Sequence, residues 1–198
     1  MRRRLVAAVA VAALALSLAA CTGENDDLAT QYREGTNQGF ISGDGSIEEI
    51  PAADRGGSVS FTGTGVDGET LSSEDYEGQV VVLNFWYALC APCRTEAPIL
   101  EEVAQSTAGD VSFLGANIYD GPAQARSFEE RYGVTYPSLL LADDAELKLS
   151  FATWTSVTVA PTTLVLDKQG RVAARFFGAV RDASILETIV RDAVAEEL

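Results

Sequence analysis

The sequence predicts an α/β domain in which a central mixed β-sheet is flanked by helices. Continuous β-branched and aromatic runs, typical of strands buried on both faces, cover residues 79–86, 111–118 and 162–167. Helical spacing of apolar residues alternates with these runs and covers residues 91–107, 122–132 and 182–197. A turn at 167–170 leads into a strand at 172–177 that should pair antiparallel. The order β-α-β-α-β-β-α implies helices on both faces of the sheet.

The first twenty residues have the pattern of a secretory signal peptide. Three arginines precede an apolar stretch from Leu5 to Leu18, which is too short for a comfortable membrane span. The tetrapeptide Leu-Ala-Ala-Cys at residues 18–21 resembles the lipobox of bacterial lipoproteins. That resemblance implies cleavage before Cys21 and acylation of its thiol. A plain signal peptide cleaved after Ala20 and an uncleaved helical anchor are the alternatives.

Residues 21–57 are predicted to form a disordered acidic tether, because they are polar and show no periodicity. The folded domain should then span residues 58–198. Alternating apolar residues and a final Asp-Gly pair predict an N-terminal β-hairpin at residues 59–68, and a helical turn is expected at 71–77. The stretch 138–149 is ambiguous. Just beyond it, Phe151 and Trp154 are either core residues or part of a contact surface.

The composition excludes several classes of function. The chain has no histidine, so Ser-His and Cys-His nucleophile pairs, histidine bases and histidine-ligated metal sites are ruled out. The formal charge is −15, and it becomes −18 once residues 1–20, with three arginines and no acid, are removed. A protein this acidic should repel nucleic acid and anionic membrane surfaces. Membrane attachment would therefore depend on the lipid.

Of the three cysteines, Cys90 and Cys93 stand where a buried strand passes into a helix. Positions i and i+3 share one face of a helical turn, so the two sulfurs can form a disulfide. The helix N-terminus favours a thiolate at Cys90, and Pro92 lies where a missing N–H costs nothing. We predict that Cys90 attacks a partner disulfide and that Cys93, expected to be more buried, resolves the intermediate. A structural disulfide and half of a zinc site are the alternatives.

The stretch LNFWYALCAPCRTEAP at residues 83–98 resembles the thioredoxin superfamily, specifically its membrane-anchored TlpA/ResA/CcmG-like branch. Pro98 falls where helices of that family carry a kinking proline. The sequence Ala-Pro-Thr-Thr at residues 160–163 resembles the family's cis-proline loop, which packs against the CxxC pair. The resemblance covers roughly residues 57–198 and implies a thioredoxin-like fold, here with the hairpin as an N-terminal extension.

The resemblance also implies roles for single residues. Glu96 matches a glutamate that tunes thiol ionisation and accepts protons, although it could equally be an ordinary first-turn acid favoured by the helix dipole. Asn84 stands where thioredoxin has a buried aspartate, so proton handling should differ. Pro161 should follow a cis peptide bond, beside which substrate peptides pair. Leu89 replaces the tryptophan that most members carry, and Ala160 is smaller than the usual residue.

These implications predict a lipid-anchored, extracytoplasmic thiol–disulfide oxidoreductase, located at the cell membrane and monomeric. The preferred function is reduction of protein disulfides such as those of apocytochrome c, with electrons from a membrane thiol carrier of the CcdA type. The alternatives are an oxidant of secreted proteins, a peroxidase and a non-catalytic lipoprotein that acts as a binding module. No metal, no cofactor other than the Cys90–Cys93 disulfide and no nucleic-acid partner are expected.

Overall fold

The computed structural model describes residues 46–197 of the chain. In chain order the elements are β1 (Ser46–Glu49), β2 (Thr62–Thr64), β3 (Thr70–Ser72), a 3-10 turn (Ser73–Tyr76), β4 (Val80–Trp86), α1 (Ala91–Ser106), β5 (Val111–Asn117), α2 (Pro122–Tyr132), β6 (Ser138–Leu140), α3 (Ala145–Ala152), β7 (Thr162–Leu166), β8 (Val172–Phe177) and α4 (Ala183–Ala195).

A six-stranded mixed sheet in the order β1-β8-β7-β4-β5-β6 forms the centre of this region. β4 runs parallel to β5 and antiparallel to β7, and all seven of its residues are buried. Alternate side chains of a strand point to opposite faces, so β4 contributes to two cores. Leu83 and Phe85 enter the core beneath α3, whereas Val80 and Val82 enter the core beneath α1 and α4. The predicted α/β architecture is confirmed.

An N-terminal hairpin is present, but it is formed by β2 and β3 over residues 62–72 and not over 59–68, so its second strand lies beyond the predicted range. Its turn passes through Gly68, whose φ of +87° lies in the left-handed region that favours glycine. Ser72 then caps the 3-10 turn with a capping box. Its hydroxyl accepts the N–H of Glu74, and its own N–H donates to the carboxylate of Asp75. This exchange explains why a helical turn begins directly at the end of β3.

The ambiguous stretch 138–149 consists of two elements. β6 continues the sheet parallel to β5, and α3 begins after Asp144, whose carboxylate accepts the N–H of Leu147 at 2.8 Å. Phe151 of α3 is fully buried, and Trp154, just beyond the helix, is half-buried against the same core. Both aromatic residues are therefore packed into the domain.

The structure differs from the sequence prediction at residues 46–57, which were expected to belong to the disordered tether. Residues 46–49 form β1, which pairs antiparallel with β8, and the N–H of Ile50 donates to the carbonyl of Ala173 at 2.7 Å. The strand covers the outer edge of β8 through backbone bonds, which polar residues provide as well as apolar ones. The predicted signal peptide, Cys21 and residues 22–45 lie outside the described residues. Within 46–197, no helix has the length and apolar character needed to cross a membrane.

Arg55 joins this N-terminal segment to distant parts of the chain. Its guanidinium donates to Asp167 at 2.9 Å and to Glu196 at 2.7 Å, and Arg171 also pairs with Asp167. The side chains of Arg55 and Asp167 are almost completely buried. Burial alone would raise the pKa of Asp167, but hydrogen bonds from the Arg171 backbone and from both guanidinium groups outweigh it and lower the pKa.

Replacing Arg55 by methionine should lower the free energy of unfolding by about 3 kcal/mol, because it breaks a buried ion pair and leaves Asp167 paired with Arg171 but no longer with Arg55. The matched control is Arg191→Met, which removes an exposed pair with Glu187 on α4 and should cost less than about 1 kcal/mol. Urea unfolding of both variants measures the difference. Equal losses in the two variants would contradict a structural role for the buried network.

Candidate active site

Cys90 and Cys93 form a disulfide at the N-terminus of α1, directly beyond the end of β4, with their Cα atoms 5.3 Å apart. Cys90 is the N-cap of the helix, and its sulfur accepts the N–H of Cys93 at 3.1 Å. Pro92 lies in the first helical turn, where its missing N–H leaves no bond unmade. The helix N-terminus therefore points unpaired N–H groups at Cys90, and this arrangement stabilises a thiolate there after reduction.

Burial does not distinguish the two cysteines as the sequence led us to expect. Cys90 is 2% exposed and Cys93 is 1% exposed, because both pack into one cluster with Trp86, Ala97 and Phe128. What separates them is position. Cys90 is the cap at the helix end and receives an N–H bond, whereas Cys93 is inside the first turn. The assignment of Cys90 as attacking sulfur therefore rests on the helix N-terminus.

The loop before the disulfide is held by residues that the sequence analysis did not identify. The carboxylate of Asp120 accepts the N–H of Ala88 at 2.6 Å, and Arg94 donates to the carbonyl of Ala88 at 2.8 Å. Asn117, at the end of β5, fixes Asp120 through its side-chain amide at 2.9 Å. Because β4 and β5 are parallel, their carboxyl ends meet at this edge of the sheet. The one available signal was a pair of polar residues following a buried strand.

Glu96 is buried one helical turn after Cys93 and is only 1% exposed. Its carboxyl accepts the side-chain amide of Asn84 at 2.9 Å and the N–H of Val180 at 2.9 Å. Burial raises the pKa of Glu96 to about 8, although these two hydrogen bonds act in the opposite direction. The interpretation of Glu96 as an ordinary exposed acid of the first turn is therefore wrong.

Asn84 places this carboxyl in the centre of the fold. It lies in the middle of β4, opposite Thr163 of β7 in the strand register. One amide hydrogen goes to the hydroxyl of Thr163 at 2.9 Å, and the other goes to Glu96. An amide is neutral at every pH, so the only ionisable group of this trio is Glu96. Proton handling differs from that of a site with aspartate at this position.

The loop that carries Pro161 lies against the disulfide. The Ala160–Pro161 peptide bond is cis, as the resemblance implied. Ala160 packs against the cluster that contains both cysteines, and the carbonyl of Pro161 accepts the N–H of Gly178 at 3.0 Å. The start of β7 thus meets the end of β4 at the edge of the sheet where the disulfide lies.

Three exposed apolar side chains flank the buried disulfide. Leu89, immediately before Cys90, is 72% exposed, Tyr119 is 53% exposed and Val159 is 39% exposed. Tyr119 contacts the ring of Tyr87 edge-on, and its hydroxyl donates to the carbonyl of Thr158 at 3.1 Å. Exposed apolar side chains of this kind are typical of surfaces that contact other proteins.

The only redox group that these side chains provide is the disulfide itself. Within residues 46–197, no three His, Cys, Asp or Glu side chains converge to form a group that could hold a metal ion. The arrangement can perform thiol–disulfide exchange, because a sulfur at a helix N-terminus is paired with a second sulfur and lies close to a buried carboxyl of raised pKa.

Comparison with known proteins agrees with this chemistry. The family model described as Redoxin matches residues 48–190. Thiol-disulfide oxidoreductase ResA of Geobacillus kaustophilus is 30% identical over 126 residues, which cover 63% of this chain and 70% of the relative. The thioredoxin-like protein YneN of Bacillus subtilis is 32% identical over 108 residues, 53% of this chain. That match spans 60% of YneN's own length.

Solved structures show the same fold. A DsbF homologue from Corynebacterium diphtheriae is 31% identical with a TM-score of 0.65, and the match covers 77% of this chain and 97% of that protein. A secreted thiol-disulfide isomerase from Corynebacterium glutamicum is 31% identical with a TM-score of 0.67, and the match covers 79% of this chain and 97% of that protein. The chain therefore belongs to the Redoxin family, and it is a thiol–disulfide oxidoreductase with a thioredoxin-like fold, in which Cys90 and Cys93 form a disulfide.

Proposed function

We propose that the mature protein is a lipid-anchored, extracytoplasmic reductant of protein disulfides. Its substrates would include apocytochrome c, and its electrons would come from a membrane thiol carrier of the CcdA type. The observation that carries the exchange chemistry is the disulfide at the N-terminus of α1, in which the N–H of Cys93 donates to Cys90 at 3.1 Å. The second candidate is an oxidant that runs the same exchange in reverse.

The proposed reaction begins from the reduced dithiol. The Cys90 thiolate attacks one sulfur of the partner's disulfide, a mixed disulfide forms, and the other partner sulfur leaves as a thiolate that takes a proton. Cys93 then loses its proton and attacks Cys90. The mixed disulfide breaks, the second partner thiol is released, and Cys90–Cys93 is left oxidised. Two electrons have passed to the partner, and the thiol carrier restores the dithiol.

Glu96 is the proposed acceptor of the proton that Cys93 must lose, in the fraction of molecules in which its carboxyl is ionised. The two residues lie one turn apart on the same face of α1, and both are buried. A pKa of about 8 for Glu96 is close to the ordinary thiol value of about 8.5, so a proton can pass between the two groups at little free-energy cost. A carboxyl of ordinary pKa would be a much weaker base for a thiol.

The charge of the chain favours the reducing direction. A strongly oxidising dithiol protein owes its high potential to a stabilised thiolate in the reduced form. Here the chain as a whole carries a charge of −15, so additional negative charge is disfavoured. A less stabilised thiolate corresponds to a lower reduction potential and therefore to a reductant.

The proposed location depends on the N-terminal signal. The lipobox-like residues 18–21 support acylation of Cys21 after removal of residues 1–20. Two or more acyl chains hold a protein on a membrane without help from basic residues, which suits so acidic a chain. Similarity to a secreted isomerase supports an extracytoplasmic location, and similarity to ResA and to the thiol:disulfide interchange protein HelX of Rhodobacter capsulatus supports a disulfide substrate.

The reduction potential distinguishes the two directions. Equilibration with glutathione buffers at pH 7 should give a value near that of thioredoxin, about −270 mV, for the Cys90–Cys93 pair. The physical reason is the net negative charge of the chain, which opposes the stabilisation of the Cys90 thiolate by the helix N-terminus. A value near −120 mV is typical of a strong oxidant. It would contradict the reductant proposal in favour of the oxidant, and disulfide exchange at this pair would still stand.

Trapping should identify the partner. In a Cys93→Ala chain the mixed disulfide at Cys90 has no resolving thiol, so an adduct should accumulate and disappear on treatment with dithiothreitol. Non-reducing electrophoresis measures it. The matched control, Cys90→Ala, should give no adduct and should lose insulin reduction. If the control formed the same adduct or kept the activity, the catalytic role of Cys90 would be disproved. A non-catalytic binding module would take its place if the unmodified chain reduced no insulin and the Cys93→Ala chain formed no adduct.

The raised pKa of Glu96 should make the oxidised protein less stable as pH rises. The unfolded chain releases this proton near pH 4.5, whereas the folded chain keeps it up to about pH 8. Between these values Glu96 should therefore lower the free energy of unfolding by about 1.4 kcal/mol per pH unit.

Glu96→Gln should remove that slope, whereas Glu102→Gln, at an exposed position of the same helix, should keep it. Urea unfolding at several pH values between 5 and 8, in the disulfide form, measures both. The same slope in all three proteins would show that Glu96 ionises normally.

A further inference from the structure

The ring of Trp154 lies directly over Gly56. A Cβ atom at Gly56 would come within 2.9 Å of Cζ3 and 3.0 Å of Cη2 of the tryptophan, closer than such atoms normally approach. At the neighbouring Gly57, a Cβ atom would meet nothing within 4 Å. Position 56 therefore requires glycine for close approach of the ring, and position 57 does not.

Gly56 belongs to a fixed segment, residues 50–57, which we call the leader. Arg55, next to Gly56, is held by Asp167 and Glu196, and its Nε donates to the carbonyl of Ile50 at 2.9 Å. The N–H of Ile50 is bound in turn to the carbonyl of Ala173. Because hydrogen bonds at both ends of the leader fix it to the domain, Gly56 provides a fixed surface on which the ring of Trp154 packs.

Trp154 stands near the start of the loop of residues 153–160, which ends beside the disulfide. On one side the loop is held by the contact with Gly56. Towards its other end the carbonyl of Thr158 accepts the hydroxyl of Tyr119, and Ala160 packs against the cluster that contains both cysteines. The loop is thus fastened at two points, one in the leader and one at the active site.

We propose that the leader positions the 153–160 loop for docking of protein substrates, through the contact of Gly56 with Trp154. This inference rests on disulfide exchange at Cys90 and holds for either direction of electron flow. Both cysteines are buried, so a partner protein must lie against the exposed side chains around them, including Val159 of the loop. A small disulfide makes no such contacts, and its reaction should be indifferent to the loop.

The test compares Gly56→Val with Gly57→Val. Neither glycine has a positive φ, so a side chain is tolerated by the backbone at both positions. We expect Gly56→Val to raise KM for insulin about tenfold, since a misplacement of about 1 Å can cost that much or more. The turnover of oxidised glutathione should stay within about twofold of the unmodified chain, and the reduction potential should be unchanged. Gly57→Val should match that chain on both substrates.

Acrylamide quenching reports directly on the ring. Trp154 is half-buried and Trp86 is almost fully buried. Increased quenching of tryptophan fluorescence in Gly56→Val alone would therefore show that Trp154 no longer packs on position 56. If Gly56→Val does not fold, Gly56→Ala provides the same clash with a smaller side chain.

Three outcomes would overturn the inference: unchanged kinetics in the Gly56 variants, equal losses on insulin and glutathione, or a Gly57→Val variant that behaves like Gly56→Val. Failure of the unmodified chain to react with either disulfide would instead refute exchange at Cys90 itself.

Discussion

The hydrogen bond between Asn84 and Glu96 is the constraint on which the active site depends. Asn84 lies in the buried central strand and also binds Thr163 of β7, while the second oxygen of Glu96 takes the N–H of Val180 beyond β8. Four segments therefore meet at one point in the interior, next to the helical turn that carries the disulfide. Helix α1 cannot slide along the sheet without leaving buried polar groups unpaired, at about 1–3 kcal/mol for each group. The position of Cys93 in the cluster against which Ala160 packs follows from this junction.

The helices and strands that could be predicted from the sequence are those whose own residues show a helical or strand pattern. β4 is a continuous apolar run interrupted only by Asn84, and α2 begins at Pro122 and ends before Gly133, whose positive φ terminates the helix. β1 could not be predicted, because Ser46–Glu49 is mostly exposed and has no strand pattern of its own. Backbone hydrogen bonds to β8, more than 120 residues away, hold it in the sheet. The partners of Arg55 are equally remote in sequence. Patterns within a window contain no information about such pairs.

The same distinction applies to the active site. The spacing of Cys90 and Cys93 and the resemblance around Pro161 were sufficient to predict that these residues lie close together. The buried environment of Glu96 could not be predicted from the sequence. A glutamate on a helix is usually exposed, and only the packing of α1 on β4 buries this one. Asp120 belongs to no motif. Its importance arises because parallel strands end at a common edge, which brings its carboxylate to the N–H of Ala88.

Two separate constraints thus act on the reactive pair. The inner one, Glu96 with Asn84, determines where protons reside when the sulfurs exchange bonds. The outer one, Trp154 seated on Gly56, determines the position of the loop that a partner protein must meet. The two share no residue, and interactions without shared partners contribute almost additively. Substitutions in the leader can therefore change which proteins dock while the chemistry of the disulfide stays as the buried carboxyl sets it.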